Sequence, residues 1–176
     1  GSYGSGTYTI SGGTLSTTDV NGTGTLSING GTVNTNYINI NTLNVASSAG
    51  TNGSHTLETG EEIWAGNENI GNSGSGTFTQ TGGTNTISSG LFIGHNAGSS
   101  GTYSLSGTGV VSAADEYVGR YGTGTFTQTG GTNTITNDLN MGVNSGSSGT
   151  YTISGGTLDV TGSIVNGLGD STLNNN

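Results

Sequence analysis

Short stretches of alternating apolar and polar residues run along the whole chain and are separated by Gly-rich bends. From Gly76 to Ile87 the sequence reads GTFTQTGGTNTI, and the same letters return from Gly124 to Ile135. Alternation at a period of two, with β-branched and aromatic residues between glycines, is typical of β-strands. The sequence therefore predicts an all-β protein in which the same short strands recur.

The recurring units follow a regular spacing. Each unit begins with a Gly before Thr or Ser and then, in most units, an aromatic or aliphatic residue, at Gly6, Gly24, Gly53, Gly76, Gly101, Gly124 and Gly149. The last five of these glycines are separated by a shorter and a longer step in strict alternation, so the full pattern returns at every second unit. Repeats of this kind are the signature of a β-solenoid, in which each circuit of the chain, or rung, stacks on the one before it. We predict one β-solenoid domain over residues 1–176, with about seven rungs of about 23–25 residues and three short strands per rung.

The spacing is irregular between Gly24 and Gly53, where one step is longer than any other in the series. Within this step lies a strand-like stretch, YININTLNV, whose marked residues are Tyr37, Ile38, Ile40, Leu43 and Val45. We expect either an irregular rung over residues 24–53 or a strand exchanged with a neighbouring molecule, as in strand complementation.

Alternation also predicts which side chains point into the core. The inward positions of the first strand in each unit predict an aromatic column of Tyr8, Phe78, Tyr103, Phe126 and Tyr151, which Leu26 and His55 interrupt. Two pairs of amides also fall at inward positions two units apart, and they are Gln80 with Gln128 and Asn85 with Asn133. We expect these amides to form stacked ladders between rungs.

The outward positions of the first strand are rich in Ser and Thr. The clearest of them are Thr77, Thr79, Thr81, Thr125, Thr127 and Thr129, and the first two units continue the pattern with Thr7, Thr9, Thr25 and Ser27. This array of hydroxyl and methyl groups resembles the Thr arrays of ice-binding solenoids. It also fits a strand face that is O-glycosylated or simply solvated, because Thr suits exposed β positions.

Composition and charge restrict the classes of partner. Arg120 is the single basic residue against ten acidic residues, so the formal net charge is −9, and charged residues make up only 6% of the chain. Without a basic patch we expect no binding to nucleic acid. The chain also contains no apolar run of the length that a membrane span needs. A surface this poor in charge favours association with other surfaces or with copies of itself.

Acidic residues offer one candidate metal site. Glu58, Glu61, Glu62 and Glu68 could supply oxygen ligands for Ca²⁺, although their spacing matches no known loop and Glu62 falls at a predicted inward position. The stretch NGLGDS at residues 166–171 is a single imperfect copy of a Gly-rich Ca²⁺ repeat. We therefore expect no cofactor, with Ca²⁺ as the alternative.

Catalytic constellations are also sparse. His55 and His95 are far apart in the sequence and lie on different segments, and Asp115 and Glu116 near Arg120 predict an ion pair in a turn. Polysaccharide cleavage on a β-helix would need acid and base groups gathered at one cleft. We therefore expect that the protein is not an enzyme.

Two units carry a resemblance to a known family. GSGTFTQTGGTNTISSGLFIG and SGTYSLSGTGVVSAADEYVG resemble the repeat of bacterial autotransporter passenger domains and PEP-CTERM-associated surface proteins, and the pattern is clearest from Gly74 to Gly167. Residues 24–53 and the segment from Ser54 to Gly66 depart from it. The resemblance implies an extracellular or cell-surface β-helix and brings no catalytic motif with it.

The leading functional hypothesis is structural. The repeat begins almost at once, at Gly4, and no amphipathic helix covers either end, so we expect copies to stack head to tail into a surface or matrix filament. The alternative is a passenger or adhesin segment that presents its Ser/Thr face to carbohydrate or to another surface. Ice binding ranks below both.

Overall fold

The computed structural model describes residues 5–176, which form strands and turns without a helix, so the all-β prediction is confirmed. Gly4, the predicted start of the repeat, lies outside the described residues. The strands are β1 (Thr7–Ile10), β2 (Thr14–Ser16), β3 (Asp19–Asn21), β4 (Thr25–Ile28), β5 (Thr32–Asn34), β6 (Tyr37–Val45), β7 (Asn52–Leu57), β8 (Glu62–Ile70), β9 (Ser75–Gln80), β10 (Thr84–Ile93), β11 (Ser100–Leu105), β12 (Val110–Val118), β13 (Thr123–Ile135), β14 (Leu139–Met141), β15 (Ser148–Val160), β16 (Ile164–Asn166) and β17 (Asp170–Asn175). Among these residues no helix is long and apolar enough to cross a membrane.

Every strand pairs in parallel with strands from neighbouring circuits of the chain, and this confirms the predicted β-solenoid. Face 1 contains β1, β4, the second parts of β6, β8, β10 and β12, and then β14 and β16. Face 2 contains β7, β9, β11, the first parts of β13 and β15, and β17. Face 3 contains β3, the first parts of β6, β8, β10 and β12, and the second parts of β13 and β15.

The rungs have two lengths. The residues paired along one column of face 1 are Tyr8, Leu26, Leu43, Glu68, Leu91, Glu116, Leu139 and Ile164. The two steps from Tyr8 to Leu43 are clearly shorter than those that follow, so the predicted rung length holds only from Leu43 onward. The first rungs are shorter because a separate sheet of β2 and β5, with three residues each, stands where later rungs have six-residue strands of face 2.

The step between Gly24 and Gly53 is irregular because the repeated motif moves from face 1 to face 2. Gly24 precedes a strand of face 1, whereas Gly53 lies in β7 of face 2, so the two glycines are not equivalent positions. Strand β6 pairs with β3 and β4 on one side and with β8 on the other, all within one chain. The segment Tyr37, Ile38, Ile40, Leu43 and Val45 lies within the sheet of its own chain, as the irregular-rung alternative requires, and exchange of this strand with a neighbouring molecule stays a prediction.

An aromatic column fills the core beneath face 2. Phe78, Tyr103, Phe126 and Tyr151 are fully buried, and successive rings stack with centroids 4.6 to 4.8 Å apart. His55 extends the column through an edge contact with Phe78 at 5.4 Å. These five side chains lie where the alternation predicts them. Stacked rings of this kind stabilise the fold beyond the area that they bury.

Tyr8 and Leu26 do not belong to this column. They pair with each other on face 1, and the Tyr8 side chain is 56% exposed. The sequence motif around them is the same as in the strands of face 2, but the short first rungs have no face 2 strand. The prediction that placed Tyr8 in the aromatic column is therefore corrected.

The bend from face 1 to face 2 requires glycine at two positions. Gly119 has φ of +74°, in the left-handed region that favours glycine, and Gly124 packs directly against it. A Cβ at Gly124 would overlap the backbone nitrogen of Gly119 and the carbonyl oxygen of Ile93.

We expect Gly124→Ala to lower the free energy of unfolding by about 3 kcal/mol, because only backbone could move to make room. Gly12→Ala is the control, since Gly12 has open space around it, and its change should stay within about 0.5 kcal/mol. Urea denaturation measures both. Equal midpoints for the two variants would contradict the packing described at this bend.

Candidate surface-binding face

The outward side of face 2, which we call the threonine face, is a regular array of small hydroxylated side chains. Three columns run across its six strands in register. The columns are Asn52, Ser75, Ser100, Thr123, Ser148 and Asp170; Ser54, Thr77, Thr102, Thr125, Thr150 and Thr172; and Thr56, Thr79, Ser104, Thr127, Thr152 and Asn174. On β9, β11, β13 and β15 every one of these positions is Ser or Thr.

The core determines which residues form this array. Phe78 and Gln80 are buried on β9, so strand alternation turns Thr77 and Thr79 outward. Thr125 and Thr127 on β13 follow the same rule two rungs away. The predicted outward position of all four threonines is therefore what the structure gives.

The other predicted members of the array differ in position. Thr81 directly follows β9 and Thr129 lies where the register of β13 shifts, and both are at the border of the face. The early Ser and Thr residues at positions 7, 9, 25 and 27 lie on face 1 and are not part of the threonine face. The array therefore begins with β7.

The threonine face is a lattice because its strands pair in register. The rings of Phe78, Tyr103, Phe126 and Tyr151 beneath it stack with angles of 4 to 15° between neighbouring ring planes. Parallel strands lie about 4.8 Å apart, and alternate residues on one strand are about 6.7 Å apart. Each Thr thus repeats its methyl and hydroxyl groups on a two-dimensional lattice.

The hydroxyl groups of Thr79 on β9 and Thr127 on β13 are available to an external partner. Among residues 5–176, the structure gives no hydrogen bond to the hydroxyls of Thr79 or Thr127, whereas Thr152 near the border accepts one from Asn174 Nδ2 at 3.2 Å. Thr is β-branched, so its side chain has few rotamers to lose when a partner binds. The face is therefore both accessible and rigid.

A different surface lies outside face 1, where aromatic rings surround the single basic side chain. Phe92 and Tyr117 stack at 4.8 Å, and the Arg120 guanidinium lies over Phe92 with 5.2 Å between its Cζ and the ring centroid. Arg120 Nη1 donates to His95 Nε2 at 2.8 Å, so His95 Nδ1 carries the proton that it donates to Asn69 Oδ1 at 2.7 Å. Burial, and then the charge of Arg120, lower the pKa of His95.

This arrangement corrects the predicted ion pair in the turn. Arg120 is directed at His95 and the rings, while Glu116 is fully buried on the inner side of face 1. Asp115 instead accepts hydrogen bonds from Asn137 Nδ2 and from the backbone nitrogen of Asp138.

The four candidate Ca²⁺ ligands are not gathered at one place. Glu61 accepts a hydrogen bond from the backbone nitrogen of Glu58 at 2.7 Å, Glu62 is exposed on face 3, and Glu68 is buried beneath face 1. Among residues 5–176 no three His, Asp or Glu side chains are grouped so that they could hold a metal ion. The stretch at 166–171 joins the end of β16 to the start of β17, and its Ser171 hydroxyl donates to the carbonyl of Met141.

Glu62 and Val110 are outward, although each lies as far after the last inward residue of its first strand as the buried Asn85 lies after Gln80. The bends before them contain four residues, at 58–61 and 106–109, whereas the bend at 81–83 before Thr84 contains three. The extra residue shifts the alternation by one, so Ile63 and Val111 are buried in their place.

The predicted amides are buried but do not form continuous ladders. Leu105 separates Gln80 from Gln128, and Val111 separates Asn85 from Asn133 in the same way. Each Gln instead donates to backbone, with Gln80 Nε2 bonded to the carbonyl of Val110 at 2.9 Å.

The buried partners of these amides include Glu68 and Glu116, which sequence reasoning missed. The two glutamates are as far apart along the chain as Asn85 is from Asn133. This shared spacing is the signal that could have revealed them as members of the repeat.

Comparison with known proteins gives no relative from which a function could be carried over. No protein-family model, curated protein or solved structure matches the chain. The resemblance to autotransporter passenger repeats therefore remains an expectation based on the repeat motif, and functional inference depends on the surfaces of the molecule.

Proposed function

We propose that the protein binds the surface of ice through its threonine face. The observation that carries this proposal is the in-register lattice of Ser and Thr across β9, β11, β13 and β15. A crystalline partner repeats its own groups on a lattice, so a protein lattice can contact it at many points at once. Many weak contacts made together by one rigid face give strong overall binding.

The chemistry of the face favours ice over carbohydrate. Sugar rings are commonly bound by stacking on aromatic side chains. The outward positions of the threonine face on β9, β11, β13 and β15 contain no aromatic residue. The exposed Trp64 and the half-buried Phe92 lie outward on faces 3 and 1 instead. Threonine methyl groups order adjacent water and threonine hydroxyls can hydrogen-bond to it, which suits a partner made of water.

Thermal hysteresis tests this function. We expect the purified protein to separate the freezing from the melting temperature of a seeded solution and to change the shape of the growing crystals. Protein unfolded by heat and kept from refolding is the control. Absence of thermal hysteresis together with binding to crystalline polysaccharide or to a glycan array would replace this proposal with the adhesin alternative.

A second candidate function, end-to-end assembly outside the cell, is favoured by the apolar surface of the last rung. Ile164, Val165, Leu168 and Leu173 are 38 to 83% exposed there, and one further stacked rung would cover them. A second copy could provide that rung on faces 1 and 3, but its narrow first rungs have no strand to continue face 2. This mismatch makes assembly the weaker candidate.

Sedimentation velocity and negative-stain microscopy test assembly. If copies stack, we expect the mean particle length to grow with protein concentration, and Ile164→Asp on face 1 to reverse that growth. Leu168→Asp on the same rung gives a second test of the same contact. Particles of one length at all concentrations would exclude a homopolymer.

A further inference from the structure

Two buried glutamates form the centre of two matching hydrogen-bond networks. In the first network Glu68 Oε2 accepts from Asn85 Nδ2 at 2.7 Å, the same Nδ2 donates to the Tyr103 hydroxyl at 3.1 Å, and that hydroxyl donates to Gln80 Oε1 at 2.6 Å. All four side chains are fully buried. Each network joins all three faces, because Glu68 lies on face 1, Gln80 and Tyr103 on face 2, and Asn85 on face 3.

The second network repeats the first one two rungs further along. Glu116 Oε2 accepts from Asn133 Nδ2 at 2.9 Å, Asn133 Nδ2 donates to the Tyr151 hydroxyl at 3.1 Å, and that hydroxyl donates to Gln128 Oε1 at 2.7 Å. Gln128 Nε2 donates to the carbonyl of Thr157 at 2.8 Å. The repetition shows that the arrangement is a property of the repeat and not of one site.

The direction of each hydrogen bond follows from the backbone. A carbonyl only accepts, so Gln80 must donate Nε2 to Val110 and present Oε1 to Tyr103. The Tyr103 hydroxyl has then given its proton to Gln80 and must accept from Asn85. Asn85 Nδ2 consequently uses one hydrogen for Tyr103 and the other for Glu68.

One acceptor in each residue of the Glu–Asn pair then has no donor. The four buried polar side-chain atoms without a partner, among residues 5–176, are Glu68 Oε1, Asn85 Oδ1, Glu116 Oε1 and Asn133 Oδ1. If the carboxyl groups were ionised, both orphan atoms of each pair would be acceptors and neither could satisfy the other. An unsatisfied buried acceptor is costly, and more so when it is charged. One proton on each glutamate provides the missing donor.

We propose that Glu68 and Glu116 are protonated in the folded protein and that each donates from Oε1 to its asparagine, closing a reciprocal acid–amide pair. The carboxyl group then accepts from the amide through Oε2 and donates to it through Oε1. The two protonated pairs stabilise the packing of the three faces against one another. Raising the pH removes these protons and lowers the free energy of unfolding.

The surroundings of the two carboxyls, within the described part of the chain, contain no cation that would favour the charged form. The titratable groups that face them are Tyr103 and Tyr151, and burial raises the pKa of both phenols. Burial likewise raises the pKa of Glu68 to about 7 and that of Glu116 to about 8, although the Asn hydrogen bonds oppose the change. His55, at the start of the aromatic column, is buried and its pKa is lowered to about 4, so it is neutral at these pH values.

The sign of the pH dependence follows from these values. In the unfolded chain the carboxyls lose their protons near 4.5, whereas in the folded chain they keep them to about 7 and 8. The folded state therefore binds more protons between pH 4.5 and 8, and stability is fully present below this window and is lost as the pH rises through it. Above the window the unfolding equilibrium constant should have risen by about 300-fold through Glu68 and by about 3,000-fold through Glu116.

The first test compares stability across pH in wild-type protein and in Glu68→Gln with Glu116→Gln. Glutamine can make both hydrogen bonds of the proposed pair without titrating. The difference between the two proteins isolates the two carboxyls, because His55 and the surface groups contribute equally to both. We expect the unfolding equilibrium constant of wild type, relative to the double variant, to rise between pH 5 and pH 9. A ratio that stays constant over this range would overturn the proposal.

Glu58→Gln with Glu62→Gln is the matched control, since it removes the same number of carboxyls from exposed positions. This control should retain the pH dependence of wild type. If it removed that dependence as completely as the core double variant, the buried glutamates would not be its source.

The second test uses wild-type protein alone, so it does not depend on whether a variant folds. Carbon-13 labelling of the glutamate side chains lets nuclear magnetic resonance follow each Cδ in wild-type protein. We expect the Glu68 and Glu116 signals to keep the chemical shift of the acid form at pH 6 in folded protein and to take the shift of the carboxylate when the protein is unfolded in urea at the same pH. Glu68 and Glu116 signals that titrate near pH 4 to 5 in folded protein would overturn the proposal.

Discussion

Phe126→Ala is expected to lower the free energy of unfolding by about 3 to 5 kcal/mol. The Phe126 ring is fully buried between Tyr103 at 4.8 Å and Tyr151 at 4.6 Å. Its removal would leave a gap in the aromatic column that the flanking strands cannot close, because parallel ladders on both sides hold β13 in register. The expected loss therefore lies at the upper end of the range for large-to-small core substitutions.

Chemical denaturation followed by circular dichroism measures this loss. Phe92→Ala is the matched control, because Phe92 stacks on Tyr117 at a similar distance of 4.8 Å but lies outward on face 1. We expect Phe92→Ala to lower the free energy of unfolding by about 1 kcal/mol, in keeping with an aromatic contact at a half-buried position. Equal losses for the two variants would show that the column beneath face 2 is not the main core of the rod.

Thr79→Lys with Thr127→Lys is expected to abolish thermal hysteresis while the protein stays folded. Both threonines lie in one column of the threonine face, on β9 and β13, and are two rungs apart. Lysine would place a hydrated ammonium group above the plane and keep the rest of the face from reaching a flat partner. Stability should change by less than about 0.5 kcal/mol per site, since both positions point outward.

Thr86→Lys with Thr134→Lys provides the control for this pair. These threonines have the same two-rung separation and also point outward, but they lie on face 3. The control adds the same charge and should leave thermal hysteresis unchanged. Equal loss of activity in the two double variants would mean that net charge, and not the threonine face, determines the effect.

Local pattern was sufficient to predict strands, buried rings and outward threonines. The alternation that places Phe78 inward and Thr79 outward is a property of the strand itself, so it can be seen in a few residues. The two-rung separation of Phe78 and Phe126 follows directly from the exact repetition of GTFTQTGGTNTI at every second unit. These features required no knowledge of which strands pair.

Long-range pairing explains what local pattern could not predict. The motif around Tyr8 is the same as that around Tyr151, yet one lies on face 1 and the other on face 2, because the first rungs are shorter. Glu62 was misplaced because one extra residue in a bend reverses the alternation. A charged residue such as Glu68 is expected at the surface when only the sequence around it is considered. Its burial depends on Asn85 and Tyr103, which belong to two other faces and meet it only in the folded chain.

Partition of the protein between ice and liquid tests ice binding by the threonine face most directly. A solution of wild-type protein mixed with the Thr79→Lys, Thr127→Lys variant would be frozen slowly from a cooled surface until half of it is ice, and both fractions would be assayed by mass spectrometry. We expect wild-type protein to be enriched in the ice while the variant is left in the liquid. Equal exclusion of both proteins from the ice would contradict this expectation.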